Sequence, residues 1–146
     1  MEPILKVVVF GQARPQGSKR YGVGSKSGKP YGYETVKGSR PWRNEVRQAL
    51  AREWARRPRL EGPIAVRIDF YMDRPKCRKG EVWHPTSPDW DKLARNVMDA
   101  LQETVIKNDG QGCHAVVRKF YSDHPKVVVE VGRPDDGDAE GMLEDA

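Results

Sequence analysis

Apolar and polar residues alternate most regularly from Ile64 to Met72, with Ile64, Val66, Ile68, Phe70 and Met72 on one side and Ala65, Arg67, Asp69 and Tyr71 on the other. A period of two predicts a half-buried strand. "ILKVVVF" (Ile4 to Phe10) is rich in β-branched residues and stops at Gly11, which predicts a buried strand. The period lengthens in two places. From Pro41, a residue suited to a first helical turn, "PWRNEVRQALAREWARR" sets Trp42, Val46, Ala49, Leu50 and Trp54 at helical spacing, with Arg40, Arg43 and Arg47 on a neighbouring face. Further on, Leu93, Ala94, Val97, Met98 and Leu101 form an apolar stripe for a helix of about three turns. "TVIK" and "CHAVVRKFY" then predict two strands around Asn108-Asp109-Gly110, a turn suited to positive φ, and "KVVVEV" a last strand. The order β, α, β, α, β, β, β describes an α/β fold: a single domain with a mixed β-sheet packed with two α-helices, and no internal repeat.

Two stretches lack any period: a basic, glycine-rich segment at about 11–39 and "DRPKCRKGEVWHPTSP". Loops of such length are commonly functional or mobile. A chain of 146 residues suits one domain, here 1–134, followed by a tail at 135–146. That tail holds six acids (Asp135, Asp136, Asp138, Glu140, Glu144, Asp145), no base and few apolar residues, so it is expected to be disordered. The net charge of +5 therefore understates the domain, which keeps all 26 Lys and Arg against 15 of the 21 acids. Such a surplus points to an anionic partner, most economically nucleic acid. No apolar run reaches the length of a membrane span, and the N-terminus lacks the pattern of a secretory signal, so a soluble cytoplasmic protein is expected. Cys77 and Cys113 are too few for a disulfide framework and are expected to be ordinary thiols.

Against this basic background stands "SPDWDKLARNVMDALQETVIKNDGQ", which gathers Asp89, Asp91, Asp99 and Asp109. Asp89 and Asp91 bracket the predicted helix start, where one acid can cap free amides and complement the helix dipole. That role does not extend to Asp99, two turns on, or to Asp109 in the turn. Magnesium and manganese prefer carboxylate oxygens, and phosphodiester hydrolysis commonly uses such ions. By spacing alone, a solvated helix face plus a turn would look the same, so both readings stand at this point.

"PDWDKLARNVMDAL" followed by "KNDGQ" resembles the RusA family of Holliday junction resolvases, many of them phage proteins. The family signature is roughly P-D-x-D-N-L-x-K-x-x-x-D-x-L, then D-D-x-Q beyond the helix. "GQARPQGSKR" and "YETVKGSRPWRNEVRQAL" extend the resemblance, which runs to about Tyr121. It implies an α/β homodimer, a magnesium-dependent structure-selective endodeoxyribonuclease acting on branched DNA, especially four-way junctions, and a bacterial host cytoplasm if phage-encoded. It also implies that Asp89, Asp91 and Asp109 are catalytic metal ligands, with Asp99 as a further acidic member and Mn2+ able to replace Mg2+. Three positions depart from the pattern. Lys92 stands for the family asparagine, and Arg95 for an active-site lysine; a guanidinium keeps the electrostatic role but not easy proton transfer. Asn108 stands where the first aspartate of the D-D pair is often found, which leaves the essential charge to Asp109.

Lys19 and Arg20 in the first loop, with Arg43 and Arg47 on the first helix, are the candidate DNA-binding cations. Trp83 is expected to pack on the sheet, the alternative being a stack on an unpaired base; Trp42 and Trp54 are expected in the core. Cys77, His84, Cys113 and His114 match no usual zinc-ligand spacing. The expected function is metal-dependent resolution of four-way junctions by paired symmetric nicks. The rival readings are a non-catalytic basic DNA-binding module, and an acidic-site nuclease acting on other branched DNA or RNA.

Overall fold

The computed structural model describes residues 1–17, 19–23, 30–34 and 37–144, with side chains described for 1–17 and 37–142. Along the chain come β1 (Pro3–Phe10), β2 (Lys19–Val23), β3 (Pro30–Glu34), α1 (Ser39–Trp54), β4 (Ile64–Asp73), α2 (Trp90–Gln102), β5 (Gly112–Ser122), β6 (Lys126–Gly132) and α3 (Glu140–Glu144). A mixed four-stranded sheet has the order β1-β6-β4-β5, while β2 and β3 pair as a separate antiparallel ribbon. Within the main sheet β6 runs antiparallel to both β1 and β4, and β4 runs parallel to β5.

Both long helices lie on one face of this sheet. α1 buries Trp42, Val46, Leu50 and Trp54, and α2 buries Leu93, Val97 and Leu101, against Leu5, Val7, Val9, Ile68, Phe70, Val127 and Val129. The predicted stripes are therefore the packed faces. Among the described residues no helix is long and apolar enough to cross a membrane. Both cysteines are exposed and unbridged.

Three expectations change. "TVIK" is not a strand: the amides of Thr104, Val105 and Ile106 all donate to the Leu101 carbonyl, so the chain curls off the end of α2 and buries Val105 and Ile106. Its one sheet-like contact is an isolated bridge between Ile106 and Leu60. Asn108-Asp109-Gly110 is accordingly not a hairpin tip, and positive φ is absent there. Asp109–Gln111 form a short 3₁₀ turn closed by a reciprocal cap, in which Asn108 Oδ1 accepts from the Gly110 amide and Gln111 Oε1 accepts from the Asn108 amide. Local polar satisfaction outweighed the turn signal.

Next, β4 is a central strand whose second face is partly covered: Ala65 and Asp69 are buried, while Tyr71 is half-buried and Arg67 exposed. Asp69 tolerates this because Arg118 donates two hydrogen bonds of 2.7 Å to its two carboxylate oxygens. Finally, the segment at 11–39 carries the β2/β3 ribbon, and its first part is a strap. Gly11, with φ 134°, turns the chain over the Trp42 ring at a position where a Cβ would collide with that ring at 2.9 Å. Ala13 is buried beyond it, and the Gln16 amide donates to the Lys92 carbonyl of α2 at 3.0 Å.

Candidate active site

The head of α2 is built by a polar loop meeting an apolar helix. Asp89 is the N-cap residue, with extended backbone (φ −67°, ψ 143°), and its carbonyl accepts the first helical bond from Leu93 at 3.1 Å. Its side chain makes no capping bond. The carboxylate instead projects into solvent, 62% exposed, with only a loose contact to Lys92 Nζ at 3.9 Å, a type of pair that contributes little. Asp91 follows in the first turn and is exposed. Capping therefore does not account for these two acids. Arg95, one turn on, is exposed and among the described residues makes no ion pair with Asp91 or Asp99.

Asp99 has different surroundings. Its carboxylate accepts a short hydrogen bond from Gln16 Nε2 and lies 4.0 Å from Arg43 NH1, on the side of α2 that faces α1. Beside it Asn96, 1% exposed, accepts from Arg43 at 3.2 Å and donates to the carbonyls of Arg14 and Ser39 at 3.1 Å each. This network ties α1, α2 and the strap together. Arg43, chosen as a DNA contact, has a side chain only 14% exposed and belongs to this junction of elements. Arg47 pairs with Glu103 at 3.6 Å and stays more accessible. The side chains of Lys19 and Arg20 lie outside the described residues.

Asp109 lies beyond the opposite end of α2, where its amide donates to Gln102 Oε1 at 3.1 Å. α2 itself, thirteen residues at about 1.5 Å each, is roughly 20 Å long. It borders a cleft of about 260 Å3 between α2 and β5, together with Trp90, Met98, Cys113 and His114. Among the described residues no three Asp, Glu, His or Cys side chains gather closely enough to hold a metal ion. The four aspartates of the motif are strung along the helix. Asn108, its Oδ1 occupied by the turn, serves to present Asp109.

Lys119 on β5 was not anticipated from sequence. Its ammonium donates to the carbonyls of Thr86 and Pro88 at 2.6 Å each, just ahead of Asp89. Burial pulls its pKa below the usual lysine value, an effect that the nearby Asp89 charge partly offsets. The signal was present in the alternation: Val117, Lys119 and Tyr121 share the helix-facing side of β5, where a lysine needs a reason. Just upstream, residues 82–84 run along the edge of β5, with Val82 O accepting from the Tyr121 amide and the His84 amide donating to Lys119 O. His84, packed on Tyr121, has its pKa lowered first by burial and then by Lys119. Trp83 packs on the opposite face of the sheet, 4.8 Å from the Phe120 ring, as the packing expectation had it, though 61% of it stays exposed.

The fold is thus a mixed sheet with two long helices on one face, and the head of α2 presents exposed Asp89 and Asp91 with exposed Arg95 one turn on. The family model for endodeoxyribonuclease RusA matches residues 12–132, and the chain belongs to that family. The family implies an endonuclease that acts on branched DNA and resolves Holliday junctions. Among curated proteins the chain is similar to an uncharacterized protein, YqaN, of Bacillus subtilis (strain 168), with 28% identity over 140 residues, 87% of this chain and 94% of the relative.

Proposed function

We propose that this protein is a magnesium-dependent endonuclease that resolves four-way DNA junctions by paired symmetric nicks and works as a homodimer. The observation that carries the reading is Asp89: an aspartate at a helix N-cap whose carboxylate does no capping, with exposed Asp91 beside it. Magnesium retains waters and takes one or two carboxylates plus substrate phosphate, and manganese shares its taste for oxygen, so a two-carboxylate head fits either ion. When bound there, the ion supplies Lewis acidity and a more acidic water. The protein's own share is arrangement and charge. Asp89 and Asp91 hold the ion, and the amide dipoles at the head of α2 attract the scissile phosphate. Arg95 steadies the charge that develops on the phosphoryl oxygens.

Asp109 enters this reading through the second copy. Among the described residues of one chain no three Asp, Glu, His or Cys side chains gather to hold an ion, whereas a two-fold pair can set the tail of one α2 against the head of the other. Two such sites, related by symmetry, suit two strands of equivalent polarity in a four-way junction. The test is cleavage of a labelled four-way junction and a matched linear duplex in magnesium, manganese or chelator. Symmetric nicks in the junction with either metal are expected. Nicking in chelator removes the metal from the proposal, and equal cleavage of the duplex removes the junction.

A further inference from the structure

We propose that Lys119 is a positioning residue for the metal-binding head of α2, acting through the backbone that delivers Asp89; this rests on the reading of Asp89 as a metal ligand. The direction in which a side chain leaves the backbone follows from the peptide planes on either side of it. Pro88 O is held by the Lys119 ammonium at 2.6 Å, and Asp89 O by the Leu93 amide at 3.1 Å. Peptide planarity makes each of these carbonyls report a whole plane. Fixing both therefore fixes the Cα–Cβ direction of Asp89. A second bond from the same ammonium, to Thr86 O at 2.6 Å, holds the loop two residues further upstream.

Charge-assisted bonds of this length are among the stronger ones available, and the partly buried ammonium has few competing waters. The Asp89 side chain makes no capping bond of its own, so its direction depends on the backbone that carries it. β5 is paired with β4 along its whole length, so the lysine refers the loop to the sheet. Groups that orient a ligand in this way typically change metal affinity or activity by about 10- to 100-fold when lost.

The experiment uses the full chain, Tb3+ as an oxygen-seeking probe, and luminescence excited through tryptophan, since Trp90 stands between Asp89 and Asp91 and is exposed. Asp89→Asn defines the signal that belongs to this site. Lys119→Met is expected to weaken the Asp89-dependent Tb3+ signal about tenfold, to raise by a similar factor the Mg2+ concentration for half-maximal nicking, and to leave junction affinity in chelator within twofold. Lys119→Arg keeps the charge but cannot centre one atom on both carbonyls; it is expected to melt near the wild-type temperature yet bind Tb3+ several-fold more weakly. If Lys119→Met does not fold, that arginine variant carries the test. A fall in melting temperature with wild-type Tb3+ affinity would overturn the positioning role and leave the metal reading intact. No Asp89-dependent signal in the wild-type protein would overturn both.

Discussion

Asp91 and Asp99 carry the same charge on one side of one helix, yet their neighbours assign them different work. Asp91 is exposed, whereas Asp99 is engaged by Gln16 and Arg43. Asp91→Asn is therefore expected to lose at least a hundredfold in single-turnover nicking with an almost unchanged melting temperature, since surface substitutions away from such networks usually stay within about 0.5 kcal/mol. Asp99→Asn should do the reverse, melting lower and nicking within about tenfold of wild type on the scale of one weakened structural bond. Equal loss of cleavage in both would return Asp99 to the metal site. Arg95 tests the cation in the same way. Arg95→Ala is expected to lose about a hundredfold, the scale of one transition-state donor, and Arg95→Lys to keep most activity. Near-normal cleavage by a folded Arg95→Ala protein would remove it from the chemistry.

At the scale of the element, the two helices were readable because their apolar stripes are set by period alone, and Trp42, Val46, Leu50, Leu93, Val97 and Leu101 are buried as that period requires. The joints between elements were not readable. Asn96 sits among the apolar residues of α2 and is joined to Ser39 and Arg14, 57 and 82 residues away, through backbone carbonyls that no sequence pattern marks. Lys119 holds Thr86 and Pro88 by the same kind of bond. The acids were visible from the family motif, but their dispersal along α2 follows from how the helix end curls, which the "NDG" turn signal misrepresented. Asn96→Leu should remove the amide that donates to the Ser39 and Arg14 carbonyls and the oxygen that accepts from Arg43, at about 1–3 kcal/mol in all. Urea unfolding measures this; an unchanged midpoint would mean that water or a rearranged Arg43 replaces the amide.

For the whole molecule, the proposed pairing of Asp91 with Asp109 of a second copy makes a prediction about subunits. Asp91→Asn and Asp109→Asn chains should each be inactive alone. Mixed, they form some dimers in which Asp91 of one chain meets Asp109 of the other with both intact, and nicking should return at one site per dimer. Mixing after partial denaturation and refolding, with nicking measured on a labelled junction, checks this. Failure to recover any nicking from demonstrated mixed dimers would put both carboxylates to work within one chain.

The sheet order also governs when the nuclease can exist. β1 pairs only with β6 in the main sheet, Phe10 opposite Lys126 and Pro3 opposite Gly132. β1 thus waits for β6, more than a hundred residues later in the chain, and the α1 face that packs on β1 waits with it. Pairings between sequence-distant strands close slowly. A nascent chain therefore carries its acidic helix, already made by Gln102, without the completed sheet until β6 has been added at Lys126–Gly132, and cleavage competence waits for that strand.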